Sequence, residues 1–192
     1  FPTRRSSDLV MFPIIDVRGN VIGFGGRVLD DTTPKYLNSP DTLIYNKSKN
    51  VFALNLAKRT KADRLILTEG YMDTIALHQA GFDSAVASLG TSLTEDHARL
   101  LSHYTQEVVI AYDGDQAGIR AAQRAITILN RTGLQVRVLR MTGAKDPDEF
   151  IQKYGKDAFQ KLLDASENQM EYRLLQLRNQ YSFDEPSDRV AY

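Results

Sequence analysis

From residue 63 onward, short apolar runs alternate with stretches of helical spacing. Leu65–Leu67, Ser84–Ala87, Glu107–Tyr112 and Leu134–Leu139 are brief and β-rich, and predict four strands. Between them the spacing predicts helices over Met72–Ala80, ending at Gly81, over Thr94–His103, capped by Thr94, and over Gln116–Asn130. Strands that alternate with helices indicate a parallel α/β sheet with right-handed crossovers. Beyond Asp146 the pattern is helical over Asp148–Tyr154, Lys156–Asp164 and Glu167–Tyr181.

The front of the chain reads differently. Phe12–Val17 and Val21–Leu29 are apolar strands separated by Arg18-Gly19-Asn20, a hairpin turn. Gly23, Gly25 and Gly26 thin the second strand and mark a bulge or a close backbone approach. Asp30 to Asn50, with Pro34 and Pro40, is long and irregular, as functional or disordered loops are. Val51–Lys61 has helical spacing, with Asn50 in the N-cap position. This divides the chain into a partial N-terminal α+β subdomain with a basic loop (10–62), an α/β domain (63–148) and a truncated C-terminal helical segment (149–192). Residues 1–9 resemble the in-frame translation of a sequencing-adapter end, and are set apart as an artefact. The chain stops without a helix stop signal, so the expectation is a piece of a longer protein cut at both ends.

Composition narrows the chemistry. The 192 residues include no Cys, which excludes a disulfide framework, a thiolate zinc site and a Cys nucleophile. His78, His97 and His103 follow no metal-ligand spacing and read as surface or helix-packing residues. No apolar run approaches the ~20 residues that cross a bilayer, and no signal-peptide core opens the chain. A cytoplasmic protein without membrane contact is therefore expected. The 24 basic and 24 acidic residues cancel, but they are segregated. Residues 27–62 carry seven basic and three acidic side chains, 63–115 two and nine, and 116–140 five and none. An acidic centre between basic segments suggests a metal site beside a polyanion track.

Ligands of an open parallel sheet bind at the carboxyl ends of its strands. Those ends carry Glu69 and Asp73, then Ser88-Leu89-Gly90-Thr91-Ser92, then Asp113-Gly114-Asp115, then Asp146-Pro147-Asp148. Clustered carboxylates repel one another unless a cation neutralises them, and oxygen ligands suit Mg²⁺ or Mn²⁺. Each motif also has a purely structural reading. Asp146 with Pro147 is a helix start, and Glu69-Gly70 is a turn into a helix.

Glu69-Gly70-Tyr71-Met72-Asp73, Ala87-Ser88-Leu89-Gly90-Thr91-Ser92, Tyr112-Asp113-Gly114-Asp115-Gln116-Ala117-Gly118 and Asp146-Pro147-Asp148 resemble the Toprim domain of bacterial DnaG-type primases. Gly23-Phe24-Gly25-Gly26-Arg27 and Pro34-Lys35-Tyr36-Leu37-Asn38-Ser39-Pro40 resemble the basic segment before Toprim in the same enzymes. The likeness runs from about Pro13 to Tyr154. It implies a four-stranded parallel sheet flanked by helices, preceded by part of an α+β subdomain. It also implies synthesis of short RNA primers from nucleoside triphosphates on single-stranded DNA for replication. Glu69, Asp113 and Asp115 then match the metal and catalytic positions, with Asp146 and Asp148 as further metal contacts and Mg²⁺ or Mn²⁺ as cofactor. Glu69 is either a metal ligand or a general base, and Asp73 orients its neighbours. Arg27, Lys35, Asn38, Ser39 and Lys47 match the segment that holds nucleic acid and nucleotide. Arg120, Arg124 and Arg131 are expected to face solvent, and Tyr36 either stacks on a base or anchors its loop. The family's zinc-binding N-terminal domain and its C-terminal helicase-interacting domain have no counterpart here, so zinc and a replicative helicase would belong to those parts. The fragment by itself is expected to be inactive.

Rival readings carry different signatures. A type IA topoisomerase needs a nucleophilic Tyr on another domain, and the recombination-mediator adapter brings zinc cysteines. A receiver-type signalling domain needs a Lys after a late strand, and leaves the basic segment at 27–49 without purpose. A Toprim nucleic-acid-binding module without catalysis, or the primase part of a primase–helicase fusion, are the remaining alternatives.

Overall fold

The computed structural model describes residues 9–30 and 33–178. The expectations for residues 1–8 and for the helix end beyond Arg178 lie outside the described residues. Two sheets organise the rest. The first is antiparallel, with strands β1 (Leu9–Ile15), β2 (Val21–Val28) and β3 (Tyr36–Asn38) in that order. Its hairpin turns where the sequence places it, because the Asp16 carboxylate accepts the backbone N–H groups of Arg18 and Asn20. Leu9, set apart with the adapter-like segment, instead begins β1 and pairs with Val28.

The second sheet follows the predicted alternation: β4 (Arg64–Thr68), α2 (Tyr71–Gln79), β5 (Ala85–Ala87), α3 (Glu95–Ser102), β6 (Glu107–Ala111), α4 (Gln116–Asn130) and β7 (Gln135–Val138). The strand order is β5-β4-β6-β7, all parallel, and the two-residue antiparallel β8 (Glu167–Asn168) adds a fifth strand beside β7. Helical spacing is expected over that segment, but the helix α6 (Gln169–Arg178) begins only after β8. Two backbone pairings with β7, and Arg137 bonding to Ser166, hold the strand against the local helical preference.

Alternation in the central strands feeds both faces. Leu65, Leu67, Val108 and Ile110 point to one core with Ala98 and Leu101 of α3 and Ala122, Ile126 and Leu129 of α4. Ile66, Val109 and Ala111 point to the other, with Leu77 of α2 and Phe150, Phe159 and Leu163 of α5 (Pro147–Asp164). The two helices expected over 148–164 are the halves of α5, which kinks at Gly155 (φ 78°).

The predicted helix over Val51–Lys61 shrinks to α1 (Leu54–Ala57). Phe52 is drawn into a bridge with Ala87 at the end of β5, so the helix cannot start until Ala53, which takes a left-handed conformation (φ 62°). Asn50 is therefore no cap, and its side-chain amide donates to the Asn46 carbonyl. Among the described residues, no helix is long and apolar enough to cross a membrane.

Candidate active site

β4 and β6 are neighbours whose following helices pack on opposite faces, so a crevice opens at their carboxyl ends. A groove of about 440 Å³ occupies it. Glu69 enters from the end of β4, Asp73 from the first turn of α2, Asp113 from the end of β6, and Asp146 and Asp148 from the start of α5. Arg27, Lys35, Tyr36 and Asn38 of the antiparallel sheet form the opposite wall, and Lys145 completes the lining.

Glycines make this approach possible. A Cβ on Gly118 would collide with the Asp113 carbonyl and stand 2.9 Å from a Glu69 carboxylate oxygen. On the other wall, a Cβ on Gly25 would lie 3.0 Å from the Asn38 side chain and 3.2 Å from the Tyr71 ring. The close approach expected at the glycines of β2 is this contact. Tyr71 is buried and joins the two sheets. Its hydroxyl donates to the Gly26 carbonyl, and its ring packs on Phe12, Tyr36 and Phe52. Tyr36 stands edge-on to Tyr71 while Arg27 covers its face at 5.7 Å, so it supports the basic wall and remains 42% exposed.

The carboxylates disturb one another. Burial pushes Asp73 up to about 7, reinforced by Asp146 and Asp113. Glu69 and Asp113 are also raised, again first by burial, then by Asp113 for Glu69 and by Asp146 for Asp113. Asp73 thus sits at the centre of the negative charge, and its carboxylate accepts the Asp148 N–H. Arg124 of α4 is exposed, as expected, and is also close enough to act on Glu69 and to line an adjoining groove. Its spacing from Ala117 and Ala121 placed it on the groove-facing side of α4, a signal masked by its charge.

The other predicted site residues divide. Asp115 caps α4, accepting the Gly118 N–H at 2.7 Å, and Asp146 caps α5, accepting the Glu149 N–H at 2.8 Å. The helix-start reading of Asp146 therefore holds and Asp115 plays the same part for α4, while Asp146 keeps its place in the groove and Asp115 lies outside the groove lining. Ser39 does not reach the groove either: its hydroxyl accepts the Phe24 N–H and ties β3 to β2. Lys47 also lies outside the lining, its carbonyl held by buried His97. Asn38 is inside, and its side-chain carbonyl oxygen is buried without a hydrogen-bond partner. Among the described residues, no three His, Cys, Asp or Glu side chains form a closed ligand set as they stand. The donor chemistry nonetheless fits a hard divalent cation, because five carboxylates line one groove and, on their side of it, their mutual repulsion is offset only in part, by Lys145 at Asp113 and by Arg124 at Glu69.

The Toprim-like family model matches residues 66–151, and the model of the DNA primase catalytic core N-terminal domain matches residues 3–58. The DNA primase of Clostridium acetobutylicum is 49% identical over 171 residues, which is 88% of this chain and 29% of that protein. The solved Escherichia coli primase catalytic core superposes with a TM-score of 0.84 at 43% identity, covering 96% of this chain and 60% of that one. The chain belongs to the bacterial DnaG-type primases. A DnaG primase catalytic domain solved bound to single-stranded DNA is similarly close, with a TM-score of 0.83 and 42% identity over 96% of this chain and 61% of that one. The chain spans about 30% of the length of the curated relatives it matches. Divalent-metal use goes with this primase family in general.

Proposed function

We propose that the chain is part of the RNA polymerase core of a primase, which joins ribonucleotides into short primers on single-stranded DNA during replication in the cytoplasm. One observation carries this reading. A single groove sets Glu69, Asp113, Asp146 and Asp148 against Arg27 and Lys35, so anion-binding cations face cation-binding carboxylates across the space a nucleotide would fill.

The reaction is attack of a 3′-hydroxyl on an α-phosphorus with loss of pyrophosphate. Glu69, Asp113, Asp146 and Asp148 would hold Mg²⁺ or Mn²⁺, with Asp115 fixing the start of α4 and acting as a further ligand from the rim. The bound cation supplies charge neutralisation for the phosphates and a more acidic attacking hydroxyl. Glu69, at the wall of the groove, is either ligand or acceptor of the hydroxyl proton. Arg27 and Lys35 bind phosphate oxygens, and the unpaired Asn38 oxygen accepts from a sugar hydroxyl or a base amino group. Lys47 extends the cationic track beyond the groove, and Ser39 keeps β3 in place. The replicative helicase would meet a domain beyond this segment, and zinc a domain before it.

Binding measurements on the chain test the assignment. Glu69→Gln with Asp113→Asn should abolish Mn²⁺ binding and leave single-stranded DNA affinity nearly intact, and Arg27→Gln with Lys35→Gln should do the reverse. Primer synthesis by a full-length protein bearing either pair should be lost. Mn²⁺ affinity unchanged by the carboxylate pair would refute the reading.

A further inference from the structure

The carboxylate groove does not end at Glu69. Beyond that side chain a second groove of about 420 Å³ opens between α4 and the 88–93 loop, and the two share Glu69, Ser88 and Gly90. Its size lies within the range of small-ligand sites. Ala117, Ala121 and Ala125, each about one turn from the next, give it a smooth apolar floor.

Two polar side chains in it make no hydrogen bond among the described residues, although the Tyr112 ring packs in the core and Arg124 acts on Glu69. Arg124 is exposed at the rim and makes no hydrogen bond or ion pair among the described residues. Tyr112 is only 8% exposed and lines the groove, and its hydroxyl, which is not among the buried unpartnered groups, makes no hydrogen bond among the described residues. A guanidinium for a phosphate, the hydroxyls of Tyr112, Thr91 and Ser92, and an apolar floor for a ring or sugar together match one nucleotide. A bare inorganic anion would leave the alanine floor without a contact. The Glu69 carboxylate on the shared wall repels phosphate, which places the phosphate at the Arg124 end.

We propose that this groove holds one nucleotide unit of a nucleic-acid strand, with its phosphate on Arg124 and its ring or sugar against Ala117, Ala121 and Ala125. The inference rests on the polymerase reading above and deepens it. Arg27 and Lys35 stand on one side of the carboxylates and Arg124 on the other, so a strand crossing the metal site is held at both ends. The occupant is either primer RNA or template DNA, which present the same phosphate and ring.

Fluorescence anisotropy of labelled RNA and DNA tetranucleotides on the chain, with Mg²⁺ present and salt varied, separates the cases. Arg124→Gln should weaken one strand type about five- to tenfold and lower its log–log salt slope by about 0.7. Ala121→Leu, which fills the floor, should weaken the same strand with no change in slope. The strand affected identifies the occupant. Wild-type affinity in Arg124→Gln for both strands overturns the proposal, as does a loss in Arg124→Gln that a folded Ala121→Leu does not share. If Ala121→Leu fails to fold, Arg124→Gln decides alone. Weakening by Arg27→Gln with Lys35→Gln, but not by Arg124→Gln, removes this groove and leaves the polymerase reading standing. Weakening by neither removes both.

Discussion

His97, fully buried at the start of α3, fastens the backbone of Lys47: its Nε2 stands 2.8 Å from the Lys47 carbonyl oxygen. The ring's Nδ1 accepts the Thr94 N–H, and the Thr94 hydroxyl donates to the Ser48 carbonyl. One neutral histidine, protonated on Nε2, thus closes the capping box of α3 and pins the basic strap to the Toprim sheet.

That arrangement makes stability pH-dependent. Burial holds the His97 pKa below its ordinary 6.5, against the pull of backbone hydrogen bonds at Lys47 and Asn50. As pH falls, the unfolded chain takes up this proton first, so the contribution is complete above about pH 6.5 and is lost progressively below it. Urea unfolding at pH 7.5 and 5.5 should show a larger loss in the wild type than in His97→Gln. At pH 7.5 that variant should itself be about 1–3 kcal/mol less stable, because buried partners are left unsatisfied. Equal pH responses in the two proteins would exclude the assignment.

Gly118 is a position where only hydrogen fits. Alanine there must push the start of α4 away from the Asp113 carbonyl and from Glu69. Gly118→Ala should cost about 1–3 kcal/mol, as overpacking does. It should also weaken Mn²⁺ binding, because Glu69 and Asp113 lose their spacing. Thermal melting and electron paramagnetic resonance of Mn²⁺ read the two effects separately.

Asp115 allows cap and ligand roles to be pulled apart. Asparagine still accepts the Gly118 N–H, whereas alanine does not. Asp115→Ala should lose about 0.5–2 kcal/mol of stability and Asp115→Asn very little. Both should weaken Mn²⁺ binding if the carboxylate reaches the cation. Full Mn²⁺ affinity in Asp115→Asn would leave Asp115 as a helix cap alone.

The parallel sheet was legible because its strands are short apolar runs at regular intervals, and Glu69, Asp113, Asp146 and Asp148 followed from strand ends alone. What the sequence concealed was tertiary. Phe52 reads as a helical residue until Ala87 draws it into a bridge, and Glu167 reads as helix until β7 pairs with it. Ser39 and Lys47 look like phosphate contacts because they share a basic segment with Arg27 and Lys35, which line the groove. In the fold, Ser39 ties two strands together and the Lys47 backbone is clasped by His97. His97 and Arg124 were underrated for different reasons: a lone histidine carries no spacing signal, and an exposed helix arginine gives no sign of the groove it borders.

Ser39 and the cations of the groove should therefore behave differently on nucleic acid. Arg27 and Lys35 line the groove, so neutralising each should reduce the salt slope of single-stranded DNA binding by about 0.7. Ser39→Ala removes a hydroxyl that accepts the Phe24 N–H, so it should lower stability by about 0.5–1.5 kcal/mol and leave the slope unchanged.

Divalent cation should stabilise the fold through the same carboxylates whose burial, reinforced by mutual repulsion, raises Glu69, Asp73 and Asp113. A ligand that binds only the folded chain adds about 2.7 kcal/mol at one hundred times its dissociation constant. Melting in saturating Mg²⁺ should therefore occur several degrees above melting in chelator. The gap should close in Glu69→Gln with Asp113→Asn, and this variant should melt above the wild type in chelator because two half-buried, mutually repelling negative charges are gone. Ionic strength must be matched between the arms, since added salt alone screens exposed charge. A melting temperature indifferent to Mg²⁺ in the wild type would show that the carboxylates bind no cation in this chain, and the metal assignment would fall with it.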